Sequence, residues 1–334
     1  MPSPRLASLP ASFFGVVLGV GGLGFAWRHA HLLWGLPAWV GEALLAIASM
    51  TWTILIVLFV AKWVVAREAA RIELGHPVQC CFIGLIGVTT MLVAQAALPY
   101  SYSTAAVLFG GGASFTLVFA LWRTSQLWHG ERDIGATTAV LYLPFVAGSF
   151  VTATVCSSLG FPDWGQLAFG GGLFAWLAIE SVLLHRLYTG PSLPPPMRPT
   201  LGIQMAPPVV GAVAYLSITG GPPDVFVHAM LGYGIFQALL MLFLLPWIRQ
   251  QPFSMGYWAF SFGATAIAIA PLIMAERGEQ GAVRILAAIL FAASNIVIAF
   301  LFLGTLRLAL RGQILPPAAT QPAPVKNESP AIRA

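Results

Sequence analysis

The chain has 334 residues, of which 58% are apolar and only 8% are Asp, Glu, Lys or Arg. Soluble proteins carry about 25% charged residues, so this composition excludes a soluble fold of this size. The pI near 9.4 does not indicate a nucleic-acid partner, because the basic residues stand singly at the ends of apolar segments, which is the topology pattern of a membrane protein.

Ten apolar stretches are predicted to cross a bilayer, at 11–28, 39–63, 77–98, 104–123, 138–159, 165–186, 203–219, 226–248, 255–275 and 281–307. Each is near the roughly 20 residues needed to span a hydrocarbon core of about 30 Å as a helix. The hydropathy shows no two-residue alternation, which excludes a β-barrel. The expected class is an all-α membrane protein with no soluble domain. Residues 1–10 are read as a cytoplasmic N-terminus, 11–312 as the transmembrane domain and 313–334 as a disordered Pro/Ala-rich cytoplasmic tail.

Span 1 begins after Arg5 in a way that mimics a signal peptide, but the run to Trp27 has no convincing small-x-small cleavage site. Its Gly19-Val-Gly-Gly-Leu-Gly24 matches the dinucleotide-binding pattern. That pattern requires a preceding strand, so inside a span it reads as close helix packing. No P-loop appears, and no cofactor or metal site is expected. His29 and His31 are placed in an outer loop, His76 and His129 in inner loops, His185 at an inner helix end and His228 near an outer helix start. This scatter fits interfacial roles rather than paired haem ligands. Cys80, Cys81 and Cys156 lie in apolar spans and fit packing. Glu42 and Glu180 are intramembrane carboxylates on even spans. Structural pairing or snorkelling is the plainer reading of both, and a proton-linked coupling or gating role for Glu180 the sharper one.

With the N-terminus inside, thirteen Lys and Arg fall on the cytoplasmic side and only Arg28, Arg277 and Arg284 on the other. The bias places both termini in the cytoplasm. A repeat appears when spans are taken in pairs. A basic residue closes each even span (Lys62, Arg123, Arg186, Arg249, Arg307), at separations of 61, 63, 63 and 58 residues. Small-residue clusters sit in register at Phe109-Gly-Gly-Gly112, Phe169-Gly-Gly-Gly172, Leu231-Gly-Tyr-Gly234 and Phe291-Ala-Ala-Ser294. Small residues let helix backbones approach closely in lipid, so five helical hairpins in a ring are expected.

Each odd span carries a central glycine: Gly15, Gly84, Gly148, Gly211 and Gly263. Prolines stand before three of them (Pro10, Pro144, Pro207-Pro208), and Pro77 opens span 3. Proline removes a backbone hydrogen bond and bends a helix. Five bent, charge-free odd spans inside and five straighter, bulkier even spans outside imply a central pore lined by the odd spans. Span 9 begins Gly256-Tyr-Trp-Ala-Phe-Ser-Phe-Gly263, and Phe262 is the candidate for the side chain that shuts the pore.

Trp258-Ala-Phe-Ser-Phe-Gly263 is similar to the TehA-type tellurite-resistance/dicarboxylate transporter family, which includes the fungal malate transporter and the plant guard-cell slow anion channel. Phe14-Gly15-Val-Val-Leu-Gly19, Thr89-Thr-Met-Leu-Val93, Tyr142-Leu-Pro144, Arg198 to Pro207 and Gly232-Tyr-Gly234 extend the resemblance over nearly all ten spans. It implies a ring of five hairpins around a pore, a homotrimer whose subunits conduct separately, a small inorganic anion as permeant and Phe262 as the gate. It also implies a bacterial inner-membrane location, a link to tellurite resistance and no enzymatic activity. Gly263 stands where the plant motif has proline. The residues leave two rival functions open: a proton-coupled carrier of C4-dicarboxylate or tellurite, and multidrug efflux.

Overall fold

The computed structural model describes residues 9–130 and 132–315. Most of the predicted disordered tail, 316–334, and most of the N-terminus lie outside these residues. Among the described residues there are ten membrane-length helices and no strand. They are α1 (Ala11–Trp34), α2 (Ala38–Val65), α3 (Gln79–Ala97), α4 (Tyr102–Trp128), α5 (Ala139–Ser158), α6 (Pro162–Thr189), α7 (Pro195–Ile218), α8 (Val225–Ile248), α9 (Met255–Glu276) and α10 (Ala282–Leu310). The end at which the described chain enters and leaves is called the near end, the opposite one the far end.

The odd and even helices separate by burial. In the most apolar windows of α1, α3, α5, α7 and α9, 78–83% of residues are buried, against 22–28% in the even helices. The reason is compositional. The odd helices offer small and polar side chains that need protein neighbours, while the even ones present Leu, Ile, Val and Phe that are at ease in lipid. The five odd helices touch in a closed cycle: α1 packs on α3 and α9, α9 on α7, α7 on α5, and α5 on α3. Each even helix packs outside the odd helix that precedes it.

Within three of the hairpins, the last glycine of the repeated small cluster makes the closest approach to the inner helix. A Cβ on Gly112 would lie 2.9 Å from Met91 Cγ and 3.0 Å from the Gly87 carbonyl oxygen, both on α3. One on Gly172 would lie 2.9 Å from Ser149 Cβ on α5, and one on Gly234 would lie closer still to Val209 of α7. Gly110, Gly111, Gly170 and Gly232 have nothing within 4 Å.

Every odd helix changes geometry in its near half, and no even helix does. In α1 a 3-10 turn (Ala11–Phe13) precedes the α-helix from Phe14. α3 breaks at Gly84 between Gln79–Ile83 and Leu85–Ala97. In α5 a 3-10 turn and a π-turn containing Pro144 precede the α-helix from Gly148. In α7 a 3-10 run ends at Met205, and Pro207 and Pro208 fall in the first turn of the α-helix that follows, where a missing N–H costs no helical bond. α9 is 3-10 from Met255 to Phe260 and α-helical from Ser261.

Two expectations need correction. α1 continues to Trp34 and stops at Gly35, whose φ of 68° is the left-handed geometry that ends helices. His29 and His31 therefore sit on the last turns of α1, not in a loop. Lys62, expected as an interfacial charge, is buried. It donates to Glu73 Oε2 (2.7 Å) and to the Leu9 carbonyl (2.7 Å), while Glu73 Oε1 accepts from the Ala11 N–H (2.7 Å).

Candidate functional site

The closed cycle of odd helices encloses two cavities, one above the other. The near cavity, about 60 Å³, is walled by Gly15 of α1, Leu85 of α3, Tyr142 and Phe150 of α5, Val210 of α7 and Phe262 of α9. The far cavity, about 340 Å³, is walled by Gly22, Gln95, Thr154, Ser217 and Arg277 among others. Phe262 and Val210 belong to both walls. Phe262 thus stands between the cavities, on the second residue of the α-helical part of α9. The near wall is almost wholly apolar, and the far wall carries hydroxyl, amide and charged groups.

Of the glycines and prolines singled out, Gly15 and Pro207 line the near cavity. The others sit at helix contacts. Gly84 faces Leu143 and Pro144 of α5, Gly148 faces Thr116 of α4, Gly211 faces Phe150 and Gly263 faces Met205 and Ala206. A Cβ on Gly263 would lie 3.0 Å from Met205 Cε and 3.1 Å from the Ala206 nitrogen, so α7 and α9 approach closely beside Phe262. Pro144 sits in the π-turn, and Pro208 packs near Gly234.

Glu180 is buried and turns inward from α6, away from lipid. It accepts five hydrogen bonds. Oε1 takes Tyr233 Oη (2.6 Å) and Gln237 Nε2 (3.3 Å), and Oε2 takes Trp176 Nε1 (3.1 Å), Gln204 Nε2 (2.9 Å) and Tyr142 Oη. Because Tyr142 walls the near cavity, the carboxylate lies one hydrogen bond behind that wall. Among the described residues it has no Lys or Arg partner. Snorkelling is therefore not its role. Glu42 is paired as expected, with Arg28 Nε (2.7 Å), Arg28 Nη2 (2.8 Å) and Tyr100 Oη (2.6 Å). That bond to Glu42 raises the Tyr100 phenol above its usual range.

The sequence reading missed the charge in the far cavity. Arg277 directly follows α9, and its guanidinium donates to the Leu216 carbonyl at the end of α7. Burial there lowers its pKa from the usual guanidinium value. His29 also lines this cavity, and its Nδ1 lies 2.9 Å from Glu276. The available signal was position: both residues lie at the far ends of odd spans, whose interiors carry no charge. The three cysteines are free and buried, and the described residues contain no cluster of three or more metal-ligating side chains.

Ten broken and unbroken spans around stacked cavities define a polytopic membrane transport protein. The chain belongs to the SLAC1 family of voltage-dependent anion channels, whose pattern it matches over residues 8–306. It is 37% identical over 306 residues to the tellurite resistance protein TehA homolog of Haemophilus influenzae, covering 91% of this chain and 92% of that one. To the S-type anion channel SLAH3 of Arabidopsis thaliana it is 23% identical over 310 residues, 91% of this chain. It is also 23% identical to the guard cell S-type anion channel SLAC1 of the same plant, over 94% of this chain. The chain spans 49% and 58% of those two plant proteins. The family is one of anion channels and transporters, not enzymes.

Proposed function

We propose that this protein is an anion channel of a bacterial inner membrane, in which Phe262 closes a pore along the axis of the odd helices. The observation that carries this reading is that the two cavities share the Phe262 side chain. A phenyl ring on an apolar constriction stops hydrated ions by steric block and by dewetting. Permeation then favours anions that shed water easily, nitrate or iodide over chloride.

The sign of the ion follows from backbone geometry. All five odd helices begin at the near end, so the positive ends of their dipoles face the near mouth of the proposed pore. Such a field attracts an anion without trapping it. The lysine and arginine bias supports cytoplasmic near-end termini, and the resemblance supports a homotrimer of separately conducting subunits. The name of the Haemophilus relative supports a link to tellurite resistance.

Planar-bilayer recording tests the gate. Phe262→Ala gives a large, steady anion current where the wild type is nearly silent. Equal currents from the two proteins would remove Phe262 from the gating role.

One observation favours a second reading, a proton-coupled carrier of C4-dicarboxylate or tellurite: Glu180 is a buried carboxylate beside the near cavity. Its two oxygens already accept five hydrogen bonds from the protein, which leaves no position for a transported solute and favours the channel. Solute uptake driven by a pH gradient and abolished in Glu180→Gln would establish the carrier instead.

A further inference from the structure

The far cavity contains a cation that the block at Phe262 does not use. Arg277 has one protein acceptor, the Leu216 carbonyl, which fixes the guanidinium in the wall; its remaining N–H groups have no acceptor among the described residues. Gln95 of α3 lines the same cavity, and its amide has no hydrogen-bond partner among those residues.

The hydroxyl groups nearby are differently disposed. Thr154, Ser157, Ser158 and Ser217 each donate their proton to a backbone carbonyl, of Phe150, Ser217, Thr154 and Val213 respectively. They turn acceptor lone pairs, not donors, toward the space. The Nδ1 of His29 is taken up by Glu276, so a bare anion finds free N–H groups at Arg277 and Gln95, while the hydroxyls hold water.

The far-end carboxylates do not neutralise Arg277 by direct pairing. Glu42 is held by Arg28 and Tyr100, Glu276 by His29, and Glu279 lies 3.5 Å from His228. Asp224 caps the N-terminus of α8 and accepts from Tyr215, and Asp163 sits in the first turn of α6. At roughly 30 Å³ per water, a cavity of this size holds about ten waters, so an ion inside keeps much of its hydration shell.

We propose that Arg277 and Gln95 form an outer binding site that collects a small, partly hydrated monovalent inorganic anion before it meets Phe262. Its role rests on the channel reading above; its binding does not. Charge recognition and dehydration are then separated in space. Arg277 raises the local anion concentration, and the Phe262 constriction selects by ease of dehydration.

The test uses the conducting Phe262→Ala protein as background. Arg277→Gln, and separately Gln95→Leu, raise the nitrate concentration for half-maximal conductance about three- to tenfold when nitrate is varied on the far side. Variation on the near side has little effect. In Arg277→Cys on the same background, a cationic methanethiosulfonate applied from the far side increases the current and an anionic one decreases it. Unchanged half-saturation in both variants, or equal responses to the two reagents, overturns the proposal.

A second arm needs no conduction. Nitrate, compared with gluconate at equal ionic strength, raises the apparent Tm of the detergent-purified protein, and the rise is lost in Arg277→Gln and Gln95→Leu. Equal rises in wild type and both variants overturn the site. If Phe262→Ala passes no current while the Arg277-dependent rise persists, the channel reading falls and the binding site stands.

Discussion

Glu180 illustrates how a single residue can be read correctly as unusual and wrongly as to place. A carboxylate in mid-membrane is expensive, and its position on an even span pointed to lipid or an interface. The structure turns it inward, where Tyr142, Trp176, Gln204, Tyr233 and Gln237 converge on it. Glu180→Gln puts an amide NH2 where donors already meet. Each buried donor left without an acceptor costs about 1–3 kcal/mol. The variant is expected to lose several degrees of apparent Tm in detergent, while Phe262→Ala/Glu180→Gln still conducts without a pH gradient. An undiminished Tm would mean that the five bonds do not hold the wall of the near cavity. Arg277 teaches the converse. A lone arginine past the end of a span looks like a topology marker, and only the reach of its side chain to Leu216 places it in a cavity.

At the scale of the helix pair, the triplets Phe109-Gly-Gly-Gly112 and Phe169-Gly-Gly-Gly172 marked the hairpins from sequence alone. Pattern could not say which glycine of each triplet matters. The helical period allows one of three consecutive residues to face the neighbour squarely, and in both triplets it is the last. Gly112→Leu forces α4 away from Met91 and Gly87, and overpacking of this kind costs about 1–3 kcal/mol. Gly111→Leu points into open space and is expected to leave stability within about 0.5 kcal/mol. Size-exclusion profiles and thermal unfolding of the two variants should diverge; matching losses would contradict this assignment of faces. The breaks in the odd helices divide in the same way. Pro144, Gly84 and Pro207-Pro208 announced themselves. The shift in α9 at Ser261 has no proline beside it, and lies next to the close approach of Gly263 to Met205 and Ala206.

For the whole molecule, the closed cycle must be secured where the chain begins. α1 and α9 pack directly, with Gly19 and Gly22 against Ser261 and Thr265, and the start of α1 is held in place as well. Lys62 of α2 bonds to Leu9 and Glu73, and Glu73 bonds to the Ala11 N–H, so the connection between α2 and α3 clamps the start of α1. Removing one member of a buried ion pair strands the other, at about 3–5 kcal/mol. Lys62→Met is therefore expected to destabilise the protein strongly, and Lys62→Met/Glu73→Leu to recover part of the loss, read as apparent Tm. A double variant no better than the single one would show that the stranded charge is not the cause.

The sequence by itself determined the ten spans, the pairing into hairpins, and which helices lie inside. These properties are written in the local density of apolar, small and charged residues, and the bilayer converts that density directly into structure. The resemblance to a channel family was legible for the same reason, since its motifs are contiguous. The tertiary structure alone decided the rest: the two cavities that share Phe262, the inward turn of Glu180, the burial of Lys62 and the entry of Arg277 and His29 into the far cavity. Each of these depends on partners contributed by other helices. Apart from Trp176, one turn before Glu180 on the same helix, the partners stand from 11 residues away, Glu73 to Lys62, to 247, Glu276 to His29. Where a long polar side chain finds its partner is fixed by packing, and no local pattern records it.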